Sequence, residues 1–306
     1  MGSTAAATAE AAKPEAEQRV DAHVGALVDL SHTIHAHPEL GFEEVRASAW
    51  VGEALAGAGY SVDPGVCELP TSLVATAGSG PLVIAICAEY DALPGIGHAC
   101  GHNIIASAAV GAGMALAPLA DDLGITVKVM GTPAEEGGGG KILMLERGAF
   151  EGVNAAMMVH PAPLEAHEMP CLAVSHFDVH YRGKAAHASA FPEQGINAAD
   201  ALTVAQVSIG LLRQHLRRRD QIHGIVTVGG EAPNVVPEHS VAKYYARAAT
   251  IADLDVLEPR VRSCFEAGAV ATGAKLEIVP QSPRYSHFEP DEAMMRAFVS
   301  NAEALG

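Results

Sequence analysis

Hydrophobic residues in the first half of the chain follow two rhythms. We predict helices where apolar residues recur every three or four positions, and strands where they form short runs. The helices are at 17–35, 43–58, 103–119 and 142–147, and the strands are at 71–77, 82–88, 125–130 and 155–159. The run 82–88 is almost wholly apolar, as in a strand buried on both faces. The alternation of strands and helices predicts an α/β sandwich with a largely parallel sheet.

The pattern changes after about residue 173, where apolar and polar residues begin to alternate along longer strands. The predicted strands are at 173–181, 222–228, 240–246 and 275–279, and the helices are at 196–216 and 254–272. This β-α-β-β-α-β order predicts a small second domain with a ferredoxin-like α+β fold. A further helix begins after 288.

The amino terminus has a different composition. Residues 1–16 are mostly Ala, Thr, Glu and Lys, and they lack the basic start and long apolar centre of a secretory signal. We therefore predict a disordered tail over 1–16.

Charge and hydropathy exclude two classes of partner. The chain of 306 residues has a formal net charge of −17, which leaves little basic surface to neutralise phosphates, so we expect no nucleic acid partner. The basic cluster at 213–219 is interpreted as a solvated helix end. The most apolar segment, 104–120, has the length of a buried helix, and we expect no membrane span.

The five cysteines are irregularly spaced and do not form a disulfide framework. We therefore expect a cytoplasmic protein. Cys100 differs from the other cysteines because of the residues around it.

Three short motifs carry groups that bind metal ions. They are His-Ala-Cys-Gly-His-Asn at 98–103, Pro-Ala-Glu-Glu-Gly at 133–137, and Val-His-Pro at 159–161. Glu89 and Asp91 follow one predicted strand, Glu135 and Glu136 follow the next, and His160 follows a third. Ligands of open α/β sheets gather at the carboxyl ends of strands, so we expect the motifs to converge on one edge. Thiolate, imidazole and carboxylate groups together favour zinc-like divalent ions. The three motifs therefore predict a metallohydrolase.

Each residue has a role in this hypothesis. Cys100 as a thiolate could bridge two cations, and His102 can reach one of them from the same loop. Glu136 can bind the same or the partner ion, and His160 would bind the second. Glu135 can take a proton from the water that the ions activate.

Alternative interpretations remain open for the single signals. A lone Glu-Glu pair is most often a solvated surface, and a lone histidine such as His160 is more often structural. Cys100 could also be a nucleophile beside His98 or His102, although no thiol-protease context surrounds it. The joint occurrence of three motifs in this order favours the metal site.

The residues at 88–94, 98–103, 132–140 and 158–161 resemble the M20 family of metallopeptidases, and specifically its amidohydrolase branch. That branch includes aminoacylase-like, auxin-conjugate and aminobenzoyl-glutamate hydrolases and β-alanyl dipeptidase-like members. The resemblance covers nearly the whole chain from about Arg19. It implies an α/β/α catalytic domain of the zinc-peptidase type, with an inserted ferredoxin-like lid and dimerisation domain.

The resemblance also assigns the metal site. It implies two divalent metal ions, most often Zn, with Mn, Co or Ni as alternatives. The residues that match metal ligands are Cys100, His102, Glu136 and His160. Glu135 matches the general base, and Asp91 matches the carboxylate that orients a ligand.

Two residues of the smaller domain match substrate-binding positions. His187, in Gly-Lys-Ala-Ala-His-Ala at 183–188, resembles a lid histidine, and Asn234, in Ala-Pro-Asn-Val-Val-Pro at 232–237, resembles a polar substrate contact. The alternative interpretations are a structural strand-end histidine and a turn-forming asparagine. The resemblance further implies a homodimer that forms through the lid domain.

The domain division expected from this resemblance is a catalytic domain at 17–172, a lid at 173–287, and the start of a return to the catalytic domain at 288–306. Family chains are usually longer than 306 residues, and their last segment supplies one more ligand histidine, a context that His287 does not match. The predicted function is a metal-dependent amidohydrolase or peptidase for N-acyl amino acids, dipeptides or aminobenzoyl-glutamate-like substrates. The alternative is a non-catalytic, dimerising remnant with an incomplete metal site.

Overall fold

The protein is described by a computed structural model, which covers residues 2–169 and 171–306, with side chains from Ala9 onward. The chain divides into two compact units, Met1–Leu164 and Glu165–Gly306. The boundary predicted from the sequence, between 172 and 173, lies a few residues further along. The catalytic and lid roles of the two parts stay predictions.

The first unit is an α/β sandwich. Its helices are α1 (Gly2–Ala36), α2 (Val45–Gly57), α3 (His102–Leu116), α4 (Ala120–Leu123) and α5 (Gly140–Glu146). Its strands are β1 (Ser61–Pro64), β2 (Leu73–Ala77), β3 (Leu82–Ala88), β4 (Ile125–Gly131) and β5 (Ala155–Met157). They form one sheet in the order β1-β2-β4-β3-β5. The predicted α/β class is confirmed.

The sheet is more mixed than the sequence suggested. β3 pairs in parallel with β4 and β5, whereas β2 pairs antiparallel with both β1 and β4. The prediction of a largely parallel sheet is therefore wrong for the β1-β2 side. The connection between β1 and β2 spans only 65–72, which is too short for the crossover that parallel neighbours need.

Helices cover both faces of this sheet. On one face, α1, α2 and α3 pack around a core that contains Leu55, Ile86 and Val127. On the other face, Met144 of α5 packs against Ala85 and Met130. Successive residues of β3 thus enter different cores, which explains why its sequence is apolar throughout.

The first helix is longer than predicted. α1 begins at Gly2, so residues 2–16 are helical where the sequence analysis expected a disordered tail, and that expectation is corrected; Met1 lies outside the described residues. Ala, Glu and Lys are strong helix formers, and ion pairs three or four residues apart add support. Such pairs join Lys13 to Glu10 and Arg19 to Glu15. Without an apolar stripe, the sequence pattern did not distinguish a solvated helix from a disordered segment.

One helical stretch is long and apolar enough to cross a membrane by length and composition alone. It runs from His102 to Leu123 and has a mean hydropathy of 1.6. Within the protein, 61% of its apolar window is buried, as in a core helix. This matches the buried helix that the sequence predicted at 104–120.

The second unit contains the predicted β-α-β-β-α-β order. Its strands are β6 (Ala173–Arg182), β7 (Gln221–Val228), β8 (His239–Ala248) and β9 (Lys275–Pro280). Its helices are α6 (Ala198–Leu212), α7 (Ile251–Thr272) and α8 (Glu292–Leu305). The all-antiparallel sheet has the order β7-β8-β6-β9, which is the ferredoxin-like arrangement.

The core of the second unit lies between this sheet and the pair α6 and α7. Phe265 of α7 contacts the rings of Phe177 and Tyr244, which stand on β6 and β8. Tyr181 donates a hydrogen bond of 2.7 Å to the carbonyl of Phe265, so the buried hydroxyl is satisfied. The helix α8 belongs to this compact unit, and its assignment to a catalytic domain stays a prediction.

The close approach of α6 and α7 depends on Gly268. A Cβ atom there would lie 2.2 Å from the carbonyl oxygen of Ala201 and 2.9 Å from the Tyr181 hydroxyl. We expect Gly268→Ala to lower the free energy of unfolding by about 1–3 kcal/mol, because the helices must separate. Gly210→Ala is the matched control, since a Cβ there meets nothing within 4 Å.

The control should raise stability by up to about 1 kcal/mol, because alanine favours the helix over glycine. Urea unfolding of both variants, compared through midpoints at a common slope, checks this prediction. Equal midpoints for the two variants would contradict the tight helix contact.

Candidate metal centre

The predicted ligands come together at the carboxyl ends of the parallel strands. The ligand atoms of Cys100, His102 and His160 all lie within 4.8 Å of one another. A second group, formed by His102, Glu135 and Glu136, meets the same limit. His102 belongs to both groups, so one buried imidazole joins donors from three separate loops.

The loop that carries Cys100 and His102 turns sharply at Gly101. This residue has φ +84°, and a Cβ atom there would lie 2.5 Å from the Cγ atom of Pro161. Glycine therefore allows the loop to turn and also lets the loop of His160 approach it. His102 then opens α3, where its side chain is fully buried.

Asp91 sets the orientation of His102. The Nδ1 atom of His102 lies 2.9 Å from Oδ1 of Asp91 and donates to it when Asp91 is ionised. The Nε2 atom then faces the cluster, and it has no hydrogen-bond partner within the described part of the chain. A carboxylate that fixes the tautomer of a histidine in this way is typical of metal sites.

His160 is oriented by its own neighbour. Its Nδ1 atom lies 2.7 Å from the carbonyl oxygen of Pro161, so it must donate there. The Nε2 atom therefore carries a lone pair, and it lies 3.6 Å from the Sγ atom of Cys100. Both histidines thus present Nε2 to the cluster.

The turn that carries the two glutamates is held from both sides. Ala134 has a positive φ of 54°, which is uncommon for a residue with a side chain, and its N–H donates to Oε1 of Glu44 at 2.7 Å. The N–H of Glu136 donates to Oδ2 of Asp91 at 2.8 Å. The buried Glu44 was missed by sequence reasoning, and no motif around it would have indicated this role.

The cluster attracts positive charge. Burial alone would lower the pKa of His102, but the hydrogen bond and charge of Asp91, with the charges of Glu135 and Glu136, outweigh burial and raise it. Burial and then the charge of Glu136 raise the pKa of Glu135. Burial, followed by the hydrogen bond and charge of Glu136, raises the pKa of the Cys100 thiol to about 12. A proton or a cation therefore stabilises each of these groups.

The arrangement fits a divalent cation. Two ligands of one tetrahedral zinc ion lie about 3.4–3.6 Å apart, the larger value for a sulfur–nitrogen pair. The Sγ–Nε2 distance between Cys100 and His160 is 3.6 Å, and Nε2 of His102 lies 3.8 and 4.0 Å from oxygens of Glu135 and Glu136. The buried, unpaired Nε2 of His102 is the atom that most requires such a partner.

The predicted substrate residues lie in the second unit and are close to one another. The backbone of His187 forms an isolated antiparallel β-bridge with that of Val235, and the N–H of Ala188 donates to the carbonyl of Asn234 at 3.0 Å. Other residues of the two segments, among them Gly183, Ala185 and Val235, line a surface pocket together with Arg182 and His239, whereas His187 and Asn234 are not part of that lining. The sequence analysis did not single out Arg182, which ends β6.

Glu89 and Lys141 are two further residues of the first unit without a predicted role. Glu89 follows β3 directly and is buried, and its carboxylate contacts the amine of Lys141 on α5. Glu89 could have been included in the predicted site from the sequence, because it directly follows a predicted strand and lies two residues before Asp91. Lys141 is an ordinary lysine in the sequence, and only the folded chain places it beside the site.

The match to known proteins extends beyond this site. A family model described as peptidase family M20/M25/M40 matches residues 85–306. The Xaa-Arg dipeptidase of Mus musculus is 38% identical over 320 residues, which cover 100% of this chain and 74% of that protein. One of the chains of the p-aminobenzoyl-glutamate hydrolase of Escherichia coli K12 is 32% identical, over 85% of this chain and 59% of that protein.

A solved structure has the same fold. It is a Bacillus subtilis protein described as a dinuclear metal binding peptidase from the M20 family, with a TM-score of 0.68 and 24% identity. The alignment covers 94% of this chain and 81% of that one. The fold and the sequence matches define a hydrolase of amide or peptide bonds. The chain belongs to peptidase family M20/M25/M40, which confirms the resemblance found in its sequence.

The raised pKa of Glu135 predicts how the metal-free protein responds to pH. A carboxyl group whose pKa is higher in the folded state contributes stability below its unfolded value, here 4.5, and loses that contribution as the pH rises through the folded pKa. In the presence of a chelator, the free energy of unfolding of the parent protein should therefore fall relative to that of Glu135→Gln as the pH rises above 4.5.

Urea unfolding of both proteins across this range, with and without zinc, measures the difference. Zinc should reduce the pH dependence, because a cation offsets the charge of Glu135. A difference that does not change with pH in the chelated samples would contradict the electrostatic account of the cluster.

Proposed function

We propose that this protein is a metal-dependent amidohydrolase or peptidase that cleaves the amide bond of an N-acyl amino acid, a dipeptide or an aminobenzoyl-glutamate-like substrate. The observation that carries the proposal is the convergence of sulfur, imidazole and carboxylate donors around the buried Nε2 of His102. The names of the two relatives, a dipeptidase and an aminobenzoyl-glutamate hydrolase, support the substrate class.

Cys100, His102, Glu136 and His160 would hold the ions. When bound, divalent ions supply Lewis-acid chemistry, because they lower the pKa of water and stabilise negative charge on a carbonyl oxygen. Two ions are proposed, because the donors fall into two groups and the related Bacillus subtilis structure is described as a dinuclear metal binding peptidase. The single free lone pair of His102, on Nε2, would bind only one of the two ions. A thiolate favours zinc, and the carboxylate and imidazole donors are also compatible with Mn, Co or Ni.

Glu135 acts as the general base in this proposal. Its carboxylate lies 3.8 Å from Nε2 of His102, at the edge of the donor group, and it is half-buried rather than enclosed. A carboxylate at this position can accept a proton from the attacking water and return it to the departing nitrogen.

Asp91 positions two ligands at once. One of its oxygens accepts from His102, and the other accepts from the backbone of Glu136. Its role is to hold the Nε2 atom and the carboxylate loop in place, and it does not contact substrate in this proposal.

His187 would donate a hydrogen bond to the substrate. Its Nδ1 atom accepts from the N–H groups of Ser189 and Ala190 at 3.3 and 3.2 Å, so the neutral ring carries its proton on Nε2. That donor suits a carbonyl or carboxylate oxygen of the substrate, with Asn234 on the adjacent segment. A homodimer formed through the second unit and a cytoplasmic location are also proposed.

A cysteine nucleophile is a weaker explanation of the same residues. The pKa of the Cys100 thiol, which burial and the carboxylate of Glu136 raise to about 12, keeps it protonated at neutral pH without a cation. Its neighbouring histidine nitrogen, on His160, is 3.6 Å from the sulfur. These features favour a thiolate ligand over a free nucleophile.

We expect Glu135→Gln to lower kcat by about 10²- to 10⁴-fold, because the base is lost while the ligand set remains. The parent protein and the variant are loaded with Zn, Mn, Co or Ni and tested on N-acyl amino acids, Xaa-Arg dipeptides and aminobenzoyl-glutamate. Elemental analysis gives the metal content of both. Glu53→Gln, on the exposed side of α2, is the matched control and should behave like the parent.

Chelation should abolish turnover, and added metal should restore it. Full turnover by the Glu135→Gln protein would show that Glu135 is not the general base. A parent protein that binds metal but hydrolyses none of these substrates would instead favour the non-catalytic alternative.

A further inference from the structure

One buried carboxylate beside the metal ligands has a free oxygen that the proposed mechanism does not use. The side chain of Glu89 is only 2% exposed, and its Oε1 atom contacts the amine of Lys141. Its Oε2 atom has no hydrogen-bond partner within the described residues. That atom lies 3.5 Å from Nε2 of His102, which is also unpaired. Two unsatisfied polar atoms therefore face each other in the protein interior.

This contact is unfavourable in the neutral tautomer of His102. The Nδ1 hydrogen is donated to Asp91, so Nε2 turns a lone pair toward the lone pairs of Glu89. A buried polar atom left without a partner is destabilising, because it has lost its hydrogen bonds to water, and here two such atoms are adjacent. A group with positive charge between them would remove both costs.

A proton on Nε2 of His102 would not form a good hydrogen bond to Glu89. A good N–H···O hydrogen bond to a carboxylate spans about 2.7–3.2 Å, and the observed separation of 3.5 Å is longer. Two ligands of one tetrahedral ion, in contrast, lie about 3.4 Å apart when each is about 2.1 Å from the metal. The separation of Glu89 and His102 therefore suits a shared cation better than a shared hydrogen.

Lys141 makes this arrangement possible. Its amine, on α5, engages Oε1 of Glu89 and leaves Oε2 directed at His102. The ion pair also reduces the negative charge that Glu89 adds to a region already containing Asp91, Glu135 and Glu136. A carboxylate with one oxygen paired and the other free can bind a metal ion through the free oxygen.

We propose that Glu89 is a further metal ligand, which binds the same ion as His102 through Oε2, and that Lys141 positions it through Oε1. The inference rests on the proposed function, because it requires the metal site described above. It adds a donor from the end of β3 to the donors contributed by the loops after β4 and β5 and by the start of α3.

The test measures metal binding, without reference to turnover. Zinc affinity is determined by competition with a chromophoric chelator, and the visible spectrum of the Co²⁺-loaded protein reports the ligand set. We expect Glu89→Gln to weaken the binding of one ion by at least about 10-fold and to change the Co²⁺ spectrum. Glu53→Gln, which removes an exposed carboxylate from the same unit, should leave both measurements unchanged.

Variants of Lys141 distinguish two possible roles of Glu89, as a metal ligand or only as the ion-pair partner of Lys141. Lys141→Met leaves Glu89 available, so zinc should bind at least as tightly as in the parent, and it should offset the loss of stability caused by the unpaired carboxylate. The double variant Glu89→Gln/Lys141→Met removes both charges. It is used for the zinc-affinity measurement if Glu89→Gln alone does not fold. Its zinc affinity should remain low.

Recovery of parental zinc affinity and of the parental Co²⁺ spectrum in the double variant would overturn the inference, because Glu89 would then act only as the partner of Lys141. An unchanged affinity in Glu89→Gln would do the same. If the parent binds metal and Glu135→Gln loses turnover, such results leave the proposed function standing. If the parent protein binds no divalent ion, both proposals fail together.

Discussion

The carboxylate of Asp91 joins the separate loops of the metal centre. One of its oxygens accepts from Nδ1 of His102, at the start of α3, and the other accepts from the backbone of Glu136, after β4. Asp91 follows β3, which pairs in parallel with β4, so the two strands end at the same edge of the sheet. The direction of the His102 lone pair and the position of the Glu136 carboxylate therefore depend on one buried side chain.

The electrostatics of the site are unbalanced without a cation. Glu89, Asp91, Glu135 and Glu136 lie around His102, and Lys141 compensates only one of them directly. Burial itself raises the pKa values of Glu135 and of the Cys100 thiol, and the nearby carboxylates raise them further. Positive charge would stabilise such a cluster, so its local cost in stability is consistent with the metal binding proposed for it.

Much of the fold could be predicted because the signals were local. The strand predicted at 82–88 is β3, Leu82–Ala88, and the repeat of strands and helices after 173 indicated the ferredoxin-like unit. Cys100, His102 and Glu136 could be expected in one cluster because they stand in short motifs near strand ends, and their role as metal ligands stays a prediction. Lys141 and Glu44 were missed, since their partners lie far away in the sequence. α1 was underestimated, because a solvated helix has no apolar stripe to reveal it.

Each unit prepares its own chemical groups by short-range contacts. In the first unit, Asp91 and the carbonyl of Pro161 fix the two histidines so that each presents Nε2. In the second unit, the backbone at 189–190 fixes His187 so that Nε2 carries the proton. The same ring atom is thus set as an acceptor for cations in one unit and as a donor in the other. Because each histidine is held by groups of its own unit, its ring would need little reorganisation to take the role proposed for it, and such preorganisation is what the proposed catalysis requires.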